Sequence, residues 1–131
     1  MDRSKIARDS RSKLRQGDTT TLYKTLVPKL AGLQLAYLHV VHGGDEELLQ
    51  WFRGAWPTSL FVNRPDRPRN EISIDVDANV ADVASIGRPA LANPDLVERL
   101  KRGEPLNEPD PATFFGGDEH GYTDYPTLQT S

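Results

Sequence analysis

The sequence predicts an α/β fold built on a parallel sheet, and three observations carry that expectation. Short apolar runs alternate with amphipathic helical stretches in the order helix, strand, helix, strand, helix, strand, helix. The runs are nearly continuous rather than alternating, as in strands covered on both faces. The 131 residues are 37% hydrophobic and 27% charged, with 10 Gly and 10 Pro, an ordinary composition for one soluble globular domain.

The elements follow in chain order. Residues 1–16 carry Arg3, Lys5, Arg8, Arg11, Lys13 and Arg15 against Asp2 and Asp9; this basic arm reads as a solvated, unstructured terminus able to touch phosphates or acidic partners. Asp18 and the threonines at 19–21 are expected to cap a helix whose apolar stripe is Leu22, Leu26 and Leu30. Pro28 is expected to kink or shorten it, and Gly32 to stop it. Residues 35–41, LAYLHVV, are the first strand, broken by His42-Gly43-Gly44. Asp45 then caps a second helix with Glu46 and Glu47 in its first turn, where the helix dipole favours acids, and Leu48, Leu49 and Phe52 form its buried face. Pro57 ends it.

Residues 58–63, TSLFVN, are the second strand, and residues 64–69, RPDRPR, form a loop because two prolines and no apolar residue preclude a regular element. Residues 71–80 read two ways. Ile72, Ile74 and Val76 alternate like a strand, whereas Ile72, Val76 and Val80 recur at helical spacing. The position between two strands selects a short crossover helix. Residues 82–87, DVASIG, are the third strand. Asn93-Pro94 reads as N-cap and first-turn proline of a last helix, with Leu96, Val97 and Leu100 on its apolar face, Arg99, Lys101 and Arg102 in its last turn and Gly103 at its C-terminal stop. The remaining residues are rich in Gly, Pro, Asp and Thr and are expected to form a long extended tail draped over another surface.

Several function classes drop out on composition. With no Cys, there are no disulfides, no thiol catalysis and no thiolate-bound metal, and a reducing cytoplasm is expected. The net charge of −3 gives no general attraction to nucleic acid or anionic membrane. No apolar run reaches the ~20 residues of a membrane span, and no secretory signal is expected. His39 and His42, three apart at a strand end, face opposite ways and make no chelating pair. Asp45, Glu46 and Glu47 are explained by their helix start.

Three parallel strands leave two open edges and two apolar faces, which makes the chain read as part of a larger sheet. The runs GDTTTLYKTLVPKL (17–30), LAYLHVVHGGDEELL (35–49), FVNRPDRPR (61–69), ADVASIGRPALANPDLVERLKRGEPLNEPD (81–110) and TFFGGDEHGYTDYPTL (113–128) resemble the C-terminal third of the old yellow enzyme family, the FMN-dependent ene-reductases. The GRP-x-x-ANPDL-x-x-RL stretch with PLNEPD and GYTDYP is the specific part of the likeness.

The resemblance implies a partial TIM (β/α)₈ barrel: residues 17–110 supply the last three βα units, with 35–41, 58–63 and 82–87 similar to barrel strands six to eight, and residues 111–131 form the tail. In this fold the phosphate site lies at the loops after strands seven and eight. It implies FMN as cofactor, NAD(P)H as reductant and an enone as substrate. Asn63 and Arg64, at the end of strand seven, and Gly87 and Arg88, at the end of strand eight, are the implied FMN-phosphate contacts, and Tyr122 in the tail an implied aromatic contact near the flavin. A glycine admits close backbone approach to an anion, and an arginine donates to it. Many members have two glycines where this chain has Arg64-Pro65, and Pro65 removes an N–H donor. The family's isoalloxazine contacts, its paired His/Asn carbonyl ligands and its Tyr proton donor come from the first five strands, to which nothing in this chain corresponds.

Two readings follow. In one, the chain contributes the FMN-phosphate side of an alkene reductase site and needs a second chain to supply strands one to five, or self-associates through its open edges. In the other, it is a non-catalytic truncated paralogue or accessory protein without flavin.

Overall fold

The computed structural model describes residues 19–128; the basic segment 1–16 and the Asp18 cap lie outside the described residues. Helix α1 (19–31) leads into β1 (Tyr37–Val41), α2 (Glu46–Ala55), β2 (Ser59–Asn63), a 3₁₀ turn (Arg69–Glu71), α3 (Ile74–Asp77), β3 (Val83–Ser85), α4 (Arg88–Ala92), α5 (Leu96–Arg102) and a second 3₁₀ turn (Pro111–Thr113). The three strands form one sheet in the sequential order β1-β2-β3, parallel throughout. Register places Tyr37 opposite Ser59, His39 opposite Phe61 and Val41 opposite Asn63, with Phe61 opposite Val83 and Asn63 opposite Ser85.

One face of this sheet is covered. Leu60 and Val62, with Leu38 and Val40 beside them, pack on Leu48, Leu49, Phe52 and Trp56 from α2 and its end, and on Val27 of α1. The opposite face carries the other register row, where Tyr37 stacks on Phe61 at 4.7 Å and His39 Nε2 lies 2.7 Å from Ser85 Oγ. Tyr37, Val41 and Val83 are exposed there.

α2 is the element the sequence specifies best. Asp45 Oδ1 accepts from the Leu48 N–H at 2.9 Å, satisfying an otherwise orphaned first-turn donor. From the last turn of α2, Arg53 reaches Asp82 just before β3 with contacts of 2.6 and 3.2 Å, and Asp82 in turn accepts from the Leu60 N–H at 2.8 Å. The Arg53 hydrogen bonds, joined by the Leu60 N–H, hold the Asp82 carboxyl below its ordinary pKa.

Four expectations need correction. α1 is not shortened at Pro28 but runs through it to residue 31 and stops before Gly32, as expected; a lost N–H leaves one carbonyl unbonded but does not end a helix whose next turn packs on a core. Its buried stripe is Val27 with Leu30 and Ala31, one turn on from Tyr23, while Leu22 and Leu26 are exposed. Asn93 does not start the last helix: it ends α4, a helix the sequence reading did not assign, and Asp95 precedes α5. On α5 the predicted apolar residue Val97 is exposed and Arg99 is buried instead.

The short helix chosen within residues 71–80 is present as α3, and Gly103 ends α5 at φ 75°. That left-handed stop suits glycine. The tail is less extended than expected. Asn107 Nδ2 donates to Ala92 O and to Pro126 O at 2.8 Å each, Arg99 donates to Pro105 O and Pro126 O, and Asp95 accepts from the Leu128 N–H. The chain between these anchors loops out and returns, with Phe115 fully exposed.

Candidate functional site

The C-terminal ends of β2 and β3 open into a cavity of about 630 Å³, lined in part by Glu108, Pro109, Pro111 and Phe114 of the tail. That size falls within the ordinary range for small-molecule and cofactor sites. Asn63, Arg64, Gly87 and Arg88 all line it, together with Pro65, Asp66, Arg67, Asp75, Glu108 and Phe114. Four of the five predicted site residues are therefore brought together. The fifth, Tyr122, lies outside this lining on an exposed tail turn, its N–H donating to Glu119 O at 3.1 Å.

The four side chains have different occupations. Asn63 Nδ2 donates to Ser85 O at 2.9 Å, a cross-strand clip between β2 and β3. The Arg64 guanidinium is fully engaged. Nε and Nη2 donate to Asp75 at 2.6 and 3.0 Å; Nη1 and Nη2 donate to the two oxygens of Glu46; and the His42 ring lies 3.3 Å from Nη1. A guanidinium has five N–H donors, so an anion contact from Arg64 falls to its main chain. Sequence reading had no way to find this network, because its partners stand 18 and 11 residues away.

Asp75 is the buried member, only 5% exposed, and Arg67 Nη1 approaches it at 3.1 Å as well. Burial alone raises a carboxyl pKa; here the Arg64 hydrogen bonds and the charges of Arg64 and Arg67 outweigh it, and Asp75 stays below its ordinary value. Glu46 is lowered too, chiefly by its hydrogen bonds to Arg64. The same two carboxylates raise the pKa of Arg64.

Arg88 is the exposed cation of the cavity. Its Nη1 donates to Asp66 Oδ1 at 2.7 Å, and its guanidinium lies 5.9 Å from the Phe114 ring centre. Gly87, just before it, has φ −102°, and no side chain caps α4. A Cβ added at Gly87 would meet no protein atom within 4 Å. Protein packing therefore does not call for glycine there, and the space beside it is open.

Among the described residues no cluster of His, Asp and Glu has a metal-holding arrangement, and no helix is long and apolar enough to cross a membrane.

Comparison with known proteins gives this geometry its context. A probable flavin mononucleotide-dependent alkene reductase from Leishmania infantum is 57% identical over 115 residues, 85% of this chain. The chain belongs to the old yellow enzyme family. Enoate reductase 1 of Kluyveromyces lactis is 34% identical over 76% of the chain. Among solved structures, morphinone reductase in complex with tetrahydroNAD matches 84% of the chain with a TM-score of 0.74 and 38% identity. The old yellow enzyme from Trypanosoma cruzi matches 84% with a TM-score of 0.73 and 34% identity. The chain spans about a third of the length of these relatives: 31% and 28% of the two curated proteins and 31% and 30% of the two solved chains. No family model matches the sequence.

Proposed function

We propose that this old yellow enzyme family chain forms the FMN-phosphate side of an alkene reductase site, as the last three βα units of a TIM-type barrel. The sequential parallel order β1-β2-β3 with its helical cover on one face supports the architecture. The observation that carries the functional reading is the open space at Gly87. A glycine with open space where a side chain would stand lies at the C-terminal end of β3, beside the exposed Arg88, on a cavity of cofactor size.

These residues fit a phosphate in part. The Gly87 and Arg88 main chain admits close approach, and the Arg88 guanidinium is within reach of the cavity. Asn63 lies at the rim and orders the two strand ends. Arg64 serves as a brace whose side chain holds α2 and α3, and Tyr122 would reach a flavin only from the tail turn. Bound FMN would supply hydride transfer from NAD(P)H to an activated alkene such as an enone; the residues of this chain bind and orient it.

Titration of the purified protein with FMN, followed by quenching of flavin fluorescence, tests the assignment. Gly87→Val is expected to weaken FMN binding by more than about tenfold, because its side chain occupies the space of the ligand, with little change in melting temperature. Arg88→Met is expected to weaken it by about three- to tenfold. Saturable binding that both variants leave unchanged would sink the assignment.

The uncovered face with Tyr37, Val41 and Val83, flanked by the open edges of β1 and β3, supports a second proposal about partners. These edges take a strand from another copy or from a second chain that supplies the remaining barrel strands. Sedimentation velocity is expected to show concentration-dependent association, and a monomer at all concentrations would count against it.

A further inference from the structure

Asp66 sits at the tip of the loop between β2 and the first 3₁₀ turn with φ +61°. A non-glycine residue in the left-handed region is uncommon, although Asp and Asn tolerate it better than most. The turn delivers its carboxylate to the cavity wall, where Oδ1 accepts from Arg88 Nη1 at 2.7 Å. Phe114 from the tail lies on Arg88 too, with its ring centre 5.9 Å away. The exposed cation that faces the cavity is therefore held by an acid that faces it as well. The other cations of the lining do not change this balance. Arg64 is spent on Glu46 and Asp75, and Arg67 is drawn to Asp75 and to the Glu71 carbonyl. Glu108 adds a further acid.

We propose that Asp66 is the resident counter-ion of Arg88, and that a phosphate group reaching the cavity displaces it, so that Asp66 sets the affinity of the site for the phosphate end of its ligand. This rests on the flavin reading above and goes beyond it. Asp66 is an affinity-lowering residue acting through Arg88. An incoming phosphate must break an existing ion pair before Arg88 can donate to it. Both partners of that pair are more than half exposed, so the pair is weak enough to exchange.

The test uses wild type, Asp66→Asn, Arg88→Met and the double variant, each titrated with FMN and with riboflavin, which lacks the phosphate. Asn keeps the left-handed turn accessible while removing the charge. Asp66→Asn is expected to bind FMN about three- to tenfold more tightly and riboflavin unchanged. In the Arg88→Met background the FMN gain is expected to disappear, since the effect passes through Arg88. Three outcomes would overturn the inference: equal or weaker FMN binding by Asp66→Asn, a matching gain for riboflavin, or a gain that persists without Arg88. When wild type binds FMN and Asp66→Asn binds it equally, the inference alone falls. When no variant binds either flavin, the flavin reading falls and takes this inference with it.

Discussion

Arg64→Met is expected to destabilise the fold by about 3–5 kcal/mol, the range for removing one partner of a buried ion pair. The size of the effect comes from Asp75. This carboxylate is 5% exposed and loses a two-point contact at 2.6 and 3.0 Å, keeping only Arg67 at 3.1 Å. The Glu46 arm is more than half exposed and adds little on its own. Arg64→Lys is not expected to restore stability, because one ammonium cannot engage two carboxylates in the planar arrangement of a guanidinium. Chemical denaturation of the two variants measures both effects, and a loss for Arg64→Met within about 1 kcal/mol of zero would refute the brace.

The same network fixes a pH dependence. Asp75 and Glu46 both have folded-state pKa values below their ordinary 3.8 and 4.5. Groups depressed in this way contribute stability that is fully present above the unfolded values and is lost as pH falls through the folded ones. Wild-type melting temperature should therefore drop below about pH 4, and Arg64→Met should show a shallower acid limb because part of that linkage is already gone.

Arg99→Met is the second large effect, expected at about 3 kcal/mol with release of the tail. Arg99 is buried on α5 and donates to Pro105 O at 2.6 Å and Pro126 O at 2.9 Å, while its Nε contacts Asp95 at 2.7 Å. Asp95 in turn accepts from the Leu128 N–H, the chief cause of its lowered pKa, with Arg99 next. Losing the guanidinium leaves the Pro105 carbonyl without its donor and the Pro126 carbonyl with Asn107 alone, which loosens the far end of the tail. Hydrogen exchange at the Leu128 and Asn107 amides should accelerate, whereas exchange in β2 changes only with global stability. Unchanged protection at Leu128 would show that the tail is held by other means.

The layered α/β order, the three strands and the Asp45 cap were legible because each is a local pattern: a short apolar run, or an acid followed by a helical stripe. The short helix at 74–77 was legible from context, since parallel strands require a crossover. Asn93 misled because its pairing with proline imitates a helix start. Its side chain is spent instead on the Asn107 main chain, 14 residues away, with Asn107 N–H donating to Asn93 Oδ1 at 2.7 Å. α4 had a local signal in Pro89, which stands in its first turn. The convergence of Asn63, Gly87 and Arg88 on one cavity followed from strand order, but the engagement of Arg64 did not. Ion-pair partners are chosen in three dimensions, and no spacing rule along the chain announces them.

The mooring of the tail has a consequence for how freely its sequence can change. Arg99, Asn93, Asn107 and Asp95 reach Pro105, Asn107, Pro126 and Leu128 through carbonyls and amides, and the Asp110 N–H meets the Tyr125 hydroxyl at 2.9 Å. Path and composition are thereby largely decoupled. The excursion at the exposed Phe115 can accept another side chain, whereas Gly116 and Gly117, at φ 83° and 103°, hold a left-handed path that suits glycine, and the two ends of the loop stay stitched to the same helix.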